Sequence, residues 1–250
     1  MNSKFAVEVC VDSVDSAMAA QAAGADRIEL CGNLLEGGTT PSAGLIALVR
    51  RNLSIKLHVM IRPRGGDFCY DAGELRVMEN DITMAKQLGA DGLVFGILDQ
   101  DGVIDATKTG NLLELARPLK VTCHRAIDMS RDLQKSLEAL IALGVDYVLT
   151  SGGEQTAIEG SAAIGRLVRA AGHRISVMAA GGIHERNVRE LIAKTRVTQI
   201  HVGLSERSPG PMKYRNEKIS MGTVKGLEYD RFGASEERLK RLVAACKLGA

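Results

Sequence analysis

The stretch GADRIEL, residues 24–30, is repeated as GADGLVF at residues 89–95 and as GVDYVLT at residues 144–150. Each copy begins with Gly, has Asp at its third position and continues into a short run of mostly apolar residues. Glycine adopts the left-handed conformation that ends many helices, and the Asp can accept a hydrogen bond from backbone in the turn that follows. The repeat therefore predicts one helix-to-strand joint that is used three times.

Short apolar runs recur along the chain on both sides of these joints, and they predict eight strands. The predicted strands lie near residues 5–10, 27–31, 55–61, 92–97, 119–124, 147–151, 175–179 and 199–202. Segments with apolar residues at helical spacing lie between them, including residues 15–23, 73–88, 133–143 and 158–171. Because strand and helix alternate throughout, the sequence predicts a parallel sheet.

The repeated joint belongs to the second, fourth and sixth predicted strands, so every second strand shares it. The interior layers of a closed barrel also draw on alternate strands, which favours a barrel over an open doubly wound sheet. A length of 250 residues is typical of a single barrel domain. We therefore predict an α/β fold, a single (β/α)8 TIM barrel over residues 1–250, and keep the open sheet as the alternative.

The overall composition is that of a globular protein, with 45% hydrophobic and 25% charged residues. A net charge of +2 and an aromatic content of 3% provide neither a broad cationic surface nor stacking platforms, so nucleic acid is not expected as a partner. The first residues lack a secretory signal and no apolar stretch approaches ~20 residues, so we expect a cytoplasmic protein without a membrane partner. The five cysteines include no CxxC pair, which favours reduced thiols over disulfides or structural zinc.

One long segment, residues 204–234, follows the last predicted strand and is predicted to be irregular. It carries Lys213, Arg215 and Lys218, and a loop of this length within a compact domain is usually functional. Ser235 then stands where it can cap a final helix.

Two pairs of polar residues stand on the first two predicted strands, and in a barrel of this class such residues build the site. Glu8 and Cys10 are two apart, so both face the same side, and Glu29 and Cys31 repeat the arrangement. We predict that all four face the barrel interior, because the residues of opposite parity are apolar and suit the helix-facing side. The alternative places both glutamates outside, in ion pairs with the helices.

Thiolates are the ligands that select Cu(I), so Cys10 and Cys31 are candidate copper ligands at the barrel mouth. The alternative is that both are small buried hydrophobes, as Cys123 and Cys246 are expected to be. Cys69 lies in a predicted loop, where either role is open.

The segment RPRGGDFCYD, residues 62–71, follows the third predicted strand. The guanidinium groups of Arg62 and Arg64 match carboxylate or phosphate, so we predict an anion site, with an arginine-stapled loop as the alternative.

Chemically active side chains also end the fifth and eighth predicted strands. The segment HRAID places His124, Arg125 and Asp128 at one end of the fifth strand, and His201 lies on the eighth. Both histidines are candidates for general acid or base catalysis.

Glycine-containing stretches follow the sixth, seventh and eighth predicted strands. Backbone N–H groups after the last strands form the recurrent phosphate site of this fold, although glycine pairs also serve plain turns. The residues predicted to bind an anion here are Ser151, Gly152, Gly181, Gly182 and Gly203.

Taken together, these segments resemble the CutC family, known as copper homeostasis proteins. The resemblance covers nearly the whole chain and is carried by EVCVDS (8–13), GADRIELC (24–31), EGGTTPS (36–42), RPRGGDFCY (62–70), VTCHRAID (121–128), LTSGG (149–153) and PMKYRN (211–216). It implies a (β/α)8 barrel and a cytoplasmic role in copper binding and tolerance. The cysteines of the family's copper proposal match Cys10 and Cys31, and no nucleotide cofactor is implied.

Three functional hypotheses follow, and the first is a Cu(I)-binding homeostasis protein. The second is an enzyme acting on a small phosphorylated or carboxylated metabolite, with Arg62 and Arg64 as the anion clamp. Glu8 or Glu29 would then act as general base and His124 as proton donor. The third is a hard divalent ion bound by the glutamates and histidines. Because exposed helices of such barrels commonly associate, we also expect a homo-oligomer.

Overall fold

Eight parallel strands pair in the order in which they occur in the chain, and the eighth pairs back to the first. The computed structural model describes residues 5–222 and 224–247. Its barrel strands are β1 (Ala6–Val11), β2 (Arg27–Leu30), β3 (Lys56–Met60), β4 (Gly92–Phe95), β5 (Lys120–Cys123), β6 (Tyr147–Thr150), β7 (Ser176–Ala180) and β8 (Gln199–Val202). Each predicted strand is present, and the open sheet is excluded because β8 and β1 are neighbours. The (β/α)8 TIM barrel is confirmed, whereas its extent over residues 1–250 stays a prediction that includes positions outside the described residues.

Helices connect successive strands. They are α1 (Val14–Ala22), α2 (Ala43–Asn52), α3 (Ala72–Gln87), α4 (Ala106–Ala116), α5 (Leu133–Ala142), α6 (Ser161–Ala171), α7 (Val188–Thr195) and the final α8 (Glu236–Lys247), with short 3₁₀ helices at Leu34–Glu36 and Arg125–Met129. Side-chain caps fix several starts, and α3 has a full capping box between Asp71 and Glu74. Helix α6 begins at Ser161 rather than at residue 158, because a turn closed by Thr156 and Glu159 precedes it. Among the described residues, no helix is both long and apolar enough to span a bilayer.

The three repeated joints adopt the same backbone conformation. Gly24, Gly89 and Gly144 have φ angles of +86°, +86° and +76°, in the left-handed region that a residue with a side chain rarely adopts. Each glycine stands directly after a helix, where it turns the chain into the next strand. The prediction of one joint used three times is confirmed.

The aspartate of each joint fastens the new strand to the preceding one. Asp91 accepts a hydrogen bond from the Leu57 backbone N–H at 2.8 Å, and its own N–H donates to the Leu57 carbonyl at 2.8 Å. The same reciprocal pairing joins Asp26 to Val7 and Asp146 to Val121. The joints therefore fasten β1 to β2, β3 to β4 and β5 to β6 in register.

The barrel has an apolar layer outside its strands and a mixed interior. The outward-facing strand residues are branched and fully buried, among them Val9, Ile28, Leu57 and Leu93. The inward-facing positions hold two small apolar clusters, one of Cys31, Met60 and Val94 and one of Leu149, Met178 and Ala180. They also hold buried polar side chains, which are unusual where branched apolar residues normally fill the layers.

The prediction of an irregular segment over residues 204–234 is wrong at both ends. Strand β9 (Ser205–Pro209) pairs antiparallel with β10 (Asp230–Ala234), and the Ala234 backbone N–H donates to Ser16 Oγ on α1 at 3.0 Å. Both strands are rich in Gly, Pro, Ser and Asp, which are depleted in strands, and neither alternates apolar with polar residues. Their pairing depends on contacts distant in sequence, so local pattern does not predict it.

Candidate functional site

Glu8 lies at the centre of a charged cluster inside the barrel and is 1% exposed. One carboxylate oxygen contacts His201 Nδ1 at 2.7 Å, and the other accepts a hydrogen bond from Arg27 Nε. Glu29, also buried, has an oxygen 3.7 Å from His201 Nε2. Because β2 and β8 flank β1, these side chains converge, and both glutamates face the interior rather than the helices.

Two members of this cluster, Arg27 and His58, were not among the predicted site residues. Arg27 also donates to Gln199 Oε1 at 3.2 Å and lies 4.9 Å from the centroid of the Tyr147 ring. His58 Nδ1 is 3.8 Å from a Glu8 oxygen. Strand parity could have predicted the position of Arg27, because Arg27 is two residues before Glu29 and therefore faces the same side.

The thiols of Cys10 and Cys31 form a pair at the carboxyl end of β1 and β2. Their sulfur atoms are 3.7 Å apart, well beyond the ~2.05 Å of a disulfide, so both cysteines are free. Cys31 is buried and its Sγ contacts a Glu29 oxygen at 3.5 Å, while Cys10 is half-buried. Met60 packs beside them, so the pair has a soft, largely apolar surrounding.

The two thiols differ in protonation. A hydrogen bond from Cys31 lowers the pKa of Cys10 to about 5, against the opposing effect of burial. That bond and burial raise the pKa of Cys31 well above its usual range. Of the two thiols, Cys10 is therefore the one that ionises more readily.

The two glutamates also differ in protonation. Burial alone would raise the pKa of Glu8, but Arg27 and His201 hold it well below its usual range. Burial, together with Cys10 and Glu8, raises the pKa of Glu29 well above its usual range, although His201 opposes this. Burial lowers the pKa of His201, but Glu29, Cys10 and Glu8 outweigh it and raise that pKa well above its usual range. Two carboxyl groups whose pKa values are displaced in opposite directions thus lie beside one imidazole, an arrangement that assigns acid and base roles in many enzymes.

Two sets of side chains bring possible metal-ligating atoms within 4.8 Å of one another: Cys10, Glu29 and Cys31, and Glu8, Glu29 and His201. The first set fits a soft ion, because its thiolate is a soft donor. The second fits a hard ion less well, because Arg27 already donates to a Glu8 oxygen.

A second group of predicted site residues lies around Asp128, on the 3₁₀ helix after β5. The Asp128 carboxylate accepts hydrogen bonds from the backbone N–H groups of Ser151, at 2.9 and 3.1 Å, and Gly153, at 3.1 Å. Arg125 donates to the same carboxylate at 2.8 Å and to Ser151 Oγ at 2.7 Å. The Ser151 N–H predicted to bind an external anion is therefore occupied by a carboxylate of the chain itself, and the Gly152 N–H donates to Thr150 Oγ1 at 2.8 Å.

Close packing requires glycine at two positions around this loop. Gly152 has a φ of +78°, and a Cβ there would lie 2.5 Å from the Gly160 carbonyl oxygen. A Cβ at Gly160 would in turn lie 1.8 Å from the Ser151 carbonyl oxygen. Close approach of two backbone segments thus requires glycine at both positions.

The other predicted anion-binding glycines line the barrel rim. Gly181 and Gly182 follow β7 with φ angles of +99° and +64°, and a Cβ at Gly181 would contact Ser151 at 3.3 Å. Gly203 follows β8 with open space around it. An anion site on these three residues stays a prediction.

His124 lies apart from the glutamate cluster. Its Nδ1 accepts a hydrogen bond from the Ala126 backbone N–H at 3.2 Å, and its ring centroid lies 4.9 Å from that of Phe68. Burial, reinforced by Arg62, lowers the pKa of His124 to about 3, so the imidazole is neutral. No hydrogen bond or ion pair in the described part of the chain joins His124 to either glutamate, so the predicted single site divides into separate groups.

Arg62 and Arg64 staple the loops after β2 and β3. The Arg62 guanidinium donates to the carbonyl oxygens of Glu36, Gly38 and Gly66. The donors of Arg64 face its own loop and the carboxylates of Asp67 and Glu74. This is the stapled-loop alternative, and for Arg64 it leaves no free donor for an anion.

Two cavities open at this end of the barrel. One, of about 900 Å³, is lined by residues that include Phe68, Cys69, Leu98, Arg125, Asp128 and Met129. The other, of about 320 Å³, lies beside Cys10 and is lined by residues that include Cys10, Asn33, Leu34, Ser205 and Phe232. The hairpin of β9 and β10 thus forms one wall of the route to Cys10.

Sequence comparison relates the chain to proteins described as CutC. The model of the CutC family matches residues 5–206. A protein of Mesorhizobium japonicum named as a family protein CutC is 47% identical over 225 residues, 90% of this chain and 86% of that protein. The human copper homeostasis protein cutC homolog is 49% identical over 218 residues, 87% of this chain and 80% of that protein.

Structural comparison gives the same relationship and a more distant one. A crystal structure of CutC from Streptococcus agalactiae superposes with a TM-score of 0.76 at 38% identity, covering 79% of this chain and 97% of that one. Phosphoribosylanthranilate isomerase from Thermotoga maritima superposes with a TM-score of 0.59 at 12% identity, covering 97% of this chain and 98% of that one. The second likeness concerns the barrel fold alone.

Proposed function

This chain belongs to the CutC family, and on that premise we propose that it takes part in copper homeostasis by binding Cu(I) between Cys10 and Cys31. The observation that carries the proposal is the pair of free sulfur atoms 3.7 Å apart on neighbouring strands. Thiolate is the ligand type that selects Cu(I), and Cys10, the more readily ionised thiol of the pair, supplies it.

The surroundings of the pair support a soft monovalent ion. Cys31, Met60 and Val94 form an apolar cluster against which Cys10 packs. The cavity of about 320 Å³ beside Cys10 provides a route to the sulfur atoms. Copper is here the cargo of the protein, and the chain's contribution is to present a thiolate beside a second sulfur in a partly dry site.

A competition titration against a chromophoric Cu(I) chelator, under strictly reducing conditions, tests this proposal. We expect the wild-type chain to take one Cu(I) from the chelator and the Cys10→Ser and Cys31→Ser variants to lose that affinity. Cys69→Ser is the matched control, because Cys69 lies in a loop outside the pair and is also free. Equal affinity in the wild type and in the double Cys10→Ser/Cys31→Ser variant would reject the thiol site.

A second function, an enzyme acting on a small phosphorylated or carboxylated metabolite, is favoured by a separate observation. Glu8 and Glu29 lie beside the same imidazole with their pKa values displaced in opposite directions. Such a pair supplies a general base and a general acid at one pH. Metal carriage does not require this arrangement.

Screening phosphorylated sugars and small carboxylates for stabilisation and turnover tests the second function. A ligand at ~100 times its Kd stabilises a fold by about 2.7 kcal/mol. For any substrate found, Glu29→Gln should lower kcat by about 10²–10⁴-fold with little effect on binding. Glu138→Gln, at an exposed position on α5, is the control. Unchanged kcat in Glu29→Gln would remove Glu29 from the mechanism.

A further inference from the structure

Arg62 is a buried cation whose charge has no counter-ion within the described residues. It is 5% exposed, and its terminal nitrogens donate to three backbone carbonyl oxygens. Carbonyl groups satisfy hydrogen bonds but do not neutralise charge, and buried charges in proteins are as a rule paired. Its Nε–H group, moreover, donates to nothing in the described part of the chain.

Two further buried groups near Arg62 lack partners among the described residues. His124 is 4% exposed, and its Nε2 makes no hydrogen bond. The bond from the Ala126 N–H occupies Nδ1 as an acceptor, so the neutral ring carries its proton on Nε2 and offers it as a donor. The Tyr70 hydroxyl, on a residue 2% exposed, makes no hydrogen bond of ordinary geometry to a described group, and the Arg62 side chain is near enough to oppose the rise that burial causes in its pKa.

The ring of Phe68 lies beside both Arg62 and His124. The Arg62 guanidinium carbon lies 5.0 Å from the Phe68 ring centroid, and the His124 ring centroid lies 4.9 Å from it. Arg62 opposes the effect of burial on the pKa of Tyr70 and reinforces it on the pKa of His124. Phe68 is half-buried and lines the cavity of about 900 Å³, so this cavity reaches the ring beside which Arg62 and His124 lie, although neither residue lines the cavity itself.

We propose that Arg62 Nε, His124 Nε2 and the Tyr70 hydroxyl bind a small carboxylate beside the ring of Phe68. One uncompensated positive charge calls for one negative charge, and a carboxylate matches the planar guanidinium. A phosphate dianion would need a second positive charge and more hydrogen-bond donors from the protein than a carboxylate needs. The nearby backbone cradle that could supply those donors is filled by Asp128. This inference goes beyond both proposed functions, because the site lies apart from the glutamate cluster and does not depend on copper binding.

Thermal unfolding of the full chain in sodium acetate, against sodium chloride at equal ionic strength and in the presence of a copper chelator, tests the proposal. We expect acetate to raise the Tm of the wild type saturably, by about 3–6 °C at ~10 times its Kd. His124→Asn keeps an acceptor for the Ala126 N–H but removes the donor at the Nε2 position. Its apparent Kd for acetate should therefore rise at least ~10-fold, the expected effect of losing one charge-assisted hydrogen bond. His124→Gln, with an amide near the Nε2 position, should recover part of the response.

His173→Asn, at an exposed position, is the matched control and should respond like the wild type. Tyr70→Phe should also weaken the acetate response, and it provides the readout if the His124 variants do not fold. A saturable acetate response that persists in His124→Asn and Tyr70→Phe would overturn the proposal, as would no saturable response in the wild type. A stronger response to inorganic phosphate than to acetate would overturn the carboxylate class.

The same measurements separate this inference from both proposed functions. The Cys10→Ser/Cys31→Ser variant should keep the acetate response whether or not the thiols bind Cu(I). Glu29→Gln should keep it even if no turnover is found. A crystal structure grown in acetate that shows only a water on Arg62 Nε and His124 Nε2 would count decisively against the site.

Discussion

At the scale of single residues, the barrel interior depends on one glycine that makes room for a histidine. The His58 ring is 1% exposed and lies against Gly92 on the neighbouring strand. A Cβ at position 92 would lie 2.4 Å from His58 Nε2, closer than any van der Waals contact. Because His58 also lies beside Glu8, displacement of its ring would disturb the charged cluster.

We predict that Gly92→Ala destabilises the protein by about 1–3 kcal/mol or more, the usual effect of overpacking a core. Urea unfolding of the variant and the wild type measures the difference. Gly44→Ala on α2 is the control, because its Cβ would meet no atom closer than 4.0 Å and alanine is the better helix former. A Gly92→Ala protein as stable as the wild type would show that the interior yields more easily than its packing indicates.

Strand parity accounts for the site residues that could be predicted. Glu8, Cys10, Glu29 and Cys31 alternate with apolar neighbours, and this pattern favoured their inward direction over the outward alternative. Arg27 follows the same parity, but an arginine at the first position of a strand usually faces solvent. The bonds from Asp128 to the loop after β6 were unpredictable, because they depend on the backbone path of a segment 23 residues away in sequence.

At the scale of elements, the reciprocal bonds of the joint aspartates hold strand pairs in register. Asp91 accepts from the Leu57 N–H on β3 and from Arg50 on α2, both at 2.8 Å. A loss of the carboxylate leaves the Leu57 N–H without a partner at the start of the strand. An unsatisfied buried donor has an unfavourable free energy of about 1–3 kcal/mol.

Asp91→Ala should accordingly lower the free energy of unfolding by about 1–3 kcal/mol. Amide hydrogen exchange at Leu57 should accelerate relative to that at Val121, whose joint is intact. Asp101→Ala, an exposed aspartate in the turn after β4, should change neither quantity. Unaltered exchange at Leu57 in Asp91→Ala would mean that the aspartate does not fasten the strand.

Elements with a local pattern were predicted, and those without one were not. The glycine and aspartate of the joint act on residues close in sequence or in the preceding strand, so their repetition identified the strand positions. The strands β9 and β10 are separated by 20 residues and carry few β-forming side chains. Their mutual pairing and the anchor on α1 define them.

At the scale of the whole molecule, buried histidines couple stability to pH. Burial lowers the pKa of His58 to about 4 and that of His124 to about 3, below the ~6.5 of an unfolded chain. Between these values the unfolded state binds protons that the folded state does not. The contribution of each histidine to stability is therefore complete above pH ~6.5 and decreases as the pH falls through that window.

We predict that the free energy of unfolding of the wild type, relative to His124→Asn, falls by about 2 kcal/mol between pH 7.5 and pH 5. Urea unfolding of both proteins at several pH values provides the measurement. The difference between variants is used because Glu29 and His201, whose pKa values are raised, favour the folded state at lower pH and oppose the trend. His173→Asn, at an exposed position, should show no such pH dependence, and a flat difference for His124→Asn would contradict a neutral buried imidazole.

The carboxylate of Asp128 in the backbone cradle after β6 behaves as a tethered ligand. A group linked through a short stretch of chain has an effective concentration in the mM range or above. A free phosphate can bind in the cradle only if it displaces the Asp128 carboxylate. Small anions in solution should therefore leave the loop conformation unaltered. The wall of the large cavity formed by Asp128 and Arg125 is thus preorganised, with its shape set before any molecule arrives.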